Sequence, residues 1–162
     1  MSDHTPPKDA FTLELRRIDN LLTVGQLPQA AQALNQAQAR HPGDARIYLL
    51  GMRLAEMAGN GPGALVAAER AVNAAPQWTA GLMEAALMLM RQGRHADALP
   101  LAQRAMTIAP DDLKVVRRAV LVALKAGHAE AATAWLRKLV VLAPYERQFR
   151  DRILRDHQPR PP

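Results

Sequence analysis

Apolar and polar positions alternate with a helical period through most of the chain. In the stretch from Thr79, Leu82, Ala85, Ala86 and Leu89 recur at i, i+3, i+4 and i+7, the stripe of an amphipathic helix. Gly93 then supplies a left-handed residue to end it, and Thr79 is placed to cap its start. A second stripe, Ala98, Leu99, Ala102, Ala105 and Met106, predicts another helix from about Ala96 to Ile108. Pro110 breaks it, and Asp111 and Asp112 form the turn and begin the next cap. Pro28 and Pro62 fall in the first turn of their helices, where a missing N–H costs little. Pro100 lies deeper and is expected to bend its helix. Beyond Pro144, Tyr145, Phe149 and Ile153 stand at steps of four among Arg147, Arg150, Arg152 and Arg155, a pattern that suits a lid over the preceding helices.

The helical pattern itself repeats. Prolines at 42, 76, 110 and 144, glycines at 25, 59, 93 and 127, and alanines at 30, 64, 98 and 132 each recur at steps of 34 residues. Three residue types kept in phase four times divide the chain into helical hairpins at 11–44, 45–78, 79–112 and 113–146. Residues 1–10 read as a loose N-terminus, 147–157 as a capping helix, and 158–162 as a Pro-rich tail or the start of a linker.

These residues resemble the tetratricopeptide repeat family. The matching positions are Tyr48, Gly51, Met52, Ala55, Ala64, Ala68 and Pro76; then Leu82, Ala85, Ala86, Leu89, Ala98, Ala102 and Pro110; then Val116, Ala119, Val120, Ala123, Ala132, Leu136 and Pro144. The first hairpin keeps Ile18, Leu21, Ala30, Leu34 and Pro42 but carries Glu14 and Arg17 where the family has apolar or small residues, as suits a terminal repeat with no neighbour to cover it. The resemblance implies an all-α fold, a right-handed α-solenoid of helix-turn-helix repeats.

Composition narrows the function. Alanine, leucine and valine dominate the 49% apolar content, which favours closely packed helices. The absence of cysteine removes disulfides, thiolate metal sites and a cysteine nucleophile. No apolar leader and no window of about 18 apolar residues is found, so a soluble, cytoplasmic protein without membrane insertion is expected. Charge is uneven: residues 1–112 hold 10 Lys and Arg against 11 Asp and Glu, and residues 113–162 hold 11 against 4. A solvated basic end and a handle for an acidic partner both fit that asymmetry.

No catalytic constellation is legible. His41, His95 and His128 fall at repeat or helix junctions; only His95 and His128, one residue out of register, could approach each other, and two histidines without a third ligand make a poor metal site, so no metal is expected. Asp111 and Asp112 are better explained as turn and cap residues than as an acid–base pair. No phosphate loop or nucleophile elbow is present, and neither a cofactor nor enzyme activity is expected.

In the family, the first helices of successive repeats line a concave groove that holds a peptide or a partner's helix. The resemblance carries that role to Arg46, Leu49, Arg53, Met83, Leu87, Met90, Arg91, Lys114, Arg117, Leu121 and Lys125. GLMEAALMLM, residues 81–90, is apolar nearly all round. Once Leu82, Ala86 and Leu89 are spent on packing, Met83, Leu87 and Met90 remain, either as a binding surface or as further core. With Arg91, Lys114, Arg117 and Lys125 around them, they would take an amphipathic protein or peptide segment carrying acidic residues. Leu15 and Asp19 stand where a receptor for chaperone tails needs a cation and an asparagine, which argues against that role. Homo-oligomerisation stays open. So does service as the N-terminal interaction domain of a larger enzyme, for example a transferase. Nucleic-acid binding through Arg117, Arg118, Arg137 and Lys138 would lack aromatic side chains for base stacking.

Overall fold

Proline and glycine punctuation fixes where each helix begins and ends. The computed structural model describes residues 8–144 together with Asp151 and Arg155. Among them run α1 (Lys8–Thr23), α2 (Leu27–Arg40), α3 (Ala45–Met57), α4 (Gly61–Ala74), α5 (Thr79–Arg91), α6 (His95–Ile108), α7 (Leu113–Lys125) and α8 (Ala129–Leu142), with no strand. Apart from Asp151 and Arg155, the expected capping helix lies outside the described residues, as do the tail, most of the loose N-terminus, Tyr145, Phe149 and Ile153.

Every first helix ends in the same way. Gly25, Gly59, Gly93 and Gly127 adopt φ of 76, 72, 74 and 69°, a conformation open to glycine at little steric cost. In the third hairpin, Gly93 N donates to Met90 O and Arg94 N donates to Leu89 O at 3.0 and 2.9 Å. This crossed pair satisfies the last carbonyls of α5 and turns the chain back into α6. The same two bonds recur at Gly25, Gly59 and Gly127.

The second helices end because of the prolines. His41, Ala75, Ala109 and Ala143 precede Pro42, Pro76, Pro110 and Pro144, and their φ values run from −129 to −139°. The proline ring disfavours helical geometry at the residue before it. Asp44 and Asp112 then restart the chain: Asp44 accepts from Arg46 N, and Asp112 from Lys114 N and Val115 N. Pro28 and Pro62 sit at the starts of α2 and α4, and Pro100 lies inside α6. At α5 the structure departs from expectation. Trp78, not Thr79, holds the capping position and makes no side-chain cap bond.

The chain divides into two compact units at Pro76 and Gln77. In the first, Ile18, Leu22, Ala30, Leu34, Ala37 and Ile47 form the core, with Phe11, Leu15, Leu50 and Leu54 packed against it. In the second, α7 packs on α5 and α6 and pairs with α8. Ala30, Ala64, Ala98 and Ala132 are all buried. Val115, Val116, Ala119, Val120, Val122 and Ala123 make the buried side of α7.

Candidate interaction surface

The positions taken from the family resemblance fare differently in the two units. In the first, they are occupied by the chain's own contacts. The Arg53 guanidinium pairs with the Asp19 carboxylate one period earlier, and its Nη2 donates to Thr23 Oγ1 at 3.2 Å. Thr23 Oγ1 in turn donates to Asp19 O at 2.8 Å. Arg46 grips the α3 cap: Nε and Nη2 donate to Asp44 Oδ1 and Oδ2 at 3.0 and 2.7 Å. That guanidinium also lies 4.7 Å from the centre of the Phe11 ring, which in turn rests 3.9 Å from the His41 ring. The side-chain hydrogen bond from Arg46 holds the Asp44 carboxyl below the usual carboxylate range, and the same contact raises Arg46. Arg46 and Arg53 are therefore engaged within the chain. Leu49 is half-buried.

In the second unit the picture is apolar. Met83 is only 1% exposed, which corrects the expectation that it is left over for a partner. Gly81, Leu82, Ala85, Ala86, Met88 and Leu89 are buried as well, so α5 is an interior helix on most of its circumference, as a helix apolar nearly all round should be. An unbranched methionine fills such an interior readily. Leu87, Met90, Leu121 and Leu124 instead stay half-buried, while Arg91, Lys114 and Lys125 are exposed and Arg117 is half-buried. Leu87 and Leu121 occupy the same register position on the neighbouring helices α5 and α7.

Opposite charges one period apart escaped the sequence reading. Besides Asp19 and Arg53, Arg118 Nη1 donates to Glu84 Oε1 at 2.7 Å, joining α7 to α5. Both pairs are 34 residues apart, and a search for opposite charges at the repeat step would have found them. The histidines have local roles. His128 caps α8, with Nδ1 accepting from Ala131 N at 3.2 Å, and His41 ends α2. Among the described residues, no three His, Asp or Glu side chains converge as a metal site, and no helix is long and apolar enough to cross a membrane.

Comparison with known proteins supplies the frame for this surface. One tetratricopeptide repeat model matches residues 15–79 and 53–112, and a second matches residues 89–148. None of the curated proteins matches significantly in sequence. Among solved structures, the chain is similar to MamA at 15% identity, covering 86% of this chain and 76% of that one with a TM-score of 0.65. It is also similar to YrrB, described as a tetratricopeptide repeat protein with an unusual peptide-binding site: 17% identity, 81% and 68% coverage, TM-score 0.64. A third likeness is to PilW, a type IV pilus biogenesis factor, at 14% identity, 85% and 64% coverage and a TM-score of 0.69.

Proposed function

The chain belongs to the tetratricopeptide repeat family, and from that premise we propose that it is a non-catalytic scaffold whose second unit holds an amphipathic partner segment. Its fold is that of protein–protein interaction modules, and one of its structural likenesses, YrrB, is described by its peptide-binding site. One observation carries the finer reading. At the register positions the family uses for binding, α5 and α7 leave Leu87, Met90 and Leu121 half-exposed, and α7 adds the exposed cations Lys114 and Lys125, whereas α1 and α3 fill theirs with the Asp19, Arg53 and Thr23 network.

Burial of the leucines and Met90 supplies the affinity, and the cations favour a segment with carboxylates beside its apolar face and speed the encounter. Met83 supports the surface from beneath. A fluorescent helical peptide of alternating apolar and acidic faces serves as the probe. Replacing Leu87 and Leu121 together by serine should weaken its binding by a few kcal/mol, as loss of a hot spot does, while the fold persists. Replacing Lys114 and Lys125 by serine should slow association and flatten its salt dependence. Undiminished binding by the leucine variant would reject this surface.

A further inference from the structure

The outer face of α1 has the shape of an interface that none of the described residues covers. Leu13, Arg16, Arg17, Asn20, Leu21 and Val24 follow one another along a single stripe and line a depression of about 400 Å³. Leu13 and Val24 are 61% and 67% exposed. Counted by the 34-residue period, the stripe coincides with the surface by which α3 and α7 each seat on the hairpin before them. In α3 the equivalent residues Ile47, Leu50 and Leu54 pack into the core of the first unit, and a Cβ on Gly51, the counterpart of Arg17, would stand 3.5 Å from Leu34 Cδ2 of α2. In α7 the equivalents Val115, Ala119, Val122 and Ala123 are buried, and α7 packs on α5 and α6.

Charge identifies the occupant. Arg118 is the counterpart of Arg16 three periods on, and its guanidinium is met by Glu84 of the preceding first helix at 2.7 Å. Arg16 and Arg17 are exposed. A second copy of this chain, stacked in register through its last hairpin, would set Arg118 against Arg16, like against like, which is costly at an interface. Residues Gly51 and Ala119 allow close approach where Arg17 stands, so the occupant must offer a small or hydrogen-bond-accepting residue there.

We propose that the α1 face is a second interaction surface, separate from the one on α5 and α7. It takes a helical hairpin of a different protein whose first helix carries a carboxylate between apolar side chains, in the place that Glu84 holds against Arg118. Leu13, Leu21 and Val24 are buried by that hairpin, and Arg16 receives its carboxylate.

The test uses the full chain and a synthetic hairpin of residues 77–110, its two helices covalently stapled and first verified by circular dichroism to be helical in isolation, which carries Glu84 in the required register and Ala102 opposite Arg17. Isothermal titration should show binding that falls about tenfold or more with Arg16→Glu in the chain or Glu84→Lys in the hairpin, since either sets like charges face to face. Combining the two reversals should restore most of the loss. Leu13→Ser with Val24→Ser should abolish binding while leaving circular dichroism and the melting temperature unchanged, because both side chains lie open to water. The proposal is overturned if the hairpin does not bind, or if binding ignores the charge at position 16. It is equally overturned if sedimentation shows the chain to be a dimer that Leu13→Ser dissociates, which would make a second copy the occupant.

Discussion

At Gly81 the room for a single methyl group decides the outcome. A Cβ there would lie 2.6 Å from Cε3 of Trp78, the residue at the head of α5. Alanine in a helix is favoured over glycine by about 1 kcal/mol, but overpacking a rigid ring costs about 1–3 kcal/mol, so Gly81→Ala should lower the melting temperature. In a Trp78→Ala background the ring is gone and the same change should raise it. An increase in both backgrounds would show that the indole does not lie on the helix. Asp44 gives a second case. Its carboxyl is held below the ordinary value of 3.8, first by the Arg46 side chain and then by the backbone bond. A depressed native pKa stabilises the fold above the unfolded value, and that contribution disappears as pH falls through the native one. Stability should therefore drop below about pH 4, and less steeply in Asp44→Ala, which already lacks the cap at a cost of about 0.5–2 kcal/mol. Parallel acid titrations of the two proteins, followed by circular dichroism, check this.

At the scale of the helix and hairpin, the period in the sequence was enough. Pro42, Pro76, Pro110 and Pro144 end their helices through the residue before them, and the four glycines end theirs through positive φ, because both effects are local and depend on no neighbour. Gly93→Val should lose on the order of 1 kcal/mol or more, since a β-branched residue resists that conformation. Ala98→Leu should cost about 1–3 kcal/mol at a fully buried contact between helices. Thermal melts of the two variants measure both, and an unchanged midpoint for Ala98→Leu would contradict the packing. What the sequence misplaced at this scale was the head of α5. Thr79 has the chemistry of a cap, but Trp78 is at the capping position and its ring covers Gly81. That is a contact of bulk, and it has no polar signature to read.

For the whole molecule, the family was legible in the sequence, and the burial of the candidate site residues was not. Periodicity puts Leu87, Met90 and Leu121 at the register positions that the family uses, but it carries no measure of depth, and Met83, assigned in the same way, is core. Arg46 and Arg53 read as free cations because their partners, Asp44 with Phe11 and Asp19, are recognised only when helices are laid side by side. The same logic separates stability from binding: Met83→Ser should cost about 2–5 kcal/mol by emptying core volume, whereas each half-buried leucine should cost less to folding than that. The most direct measurement is an NMR titration of the isotope-labelled chain, carrying Arg16→Glu so that the α1 face is closed to acidic segments, with the acidic amphipathic peptide. The largest shifts are expected at Leu87, Met90, Leu121 and Lys125, with Leu49, Arg53 and the rest of the first unit little changed. Shifts centred on α1 and α3 instead, or spread evenly over the basic residues without the leucines, would contradict the account.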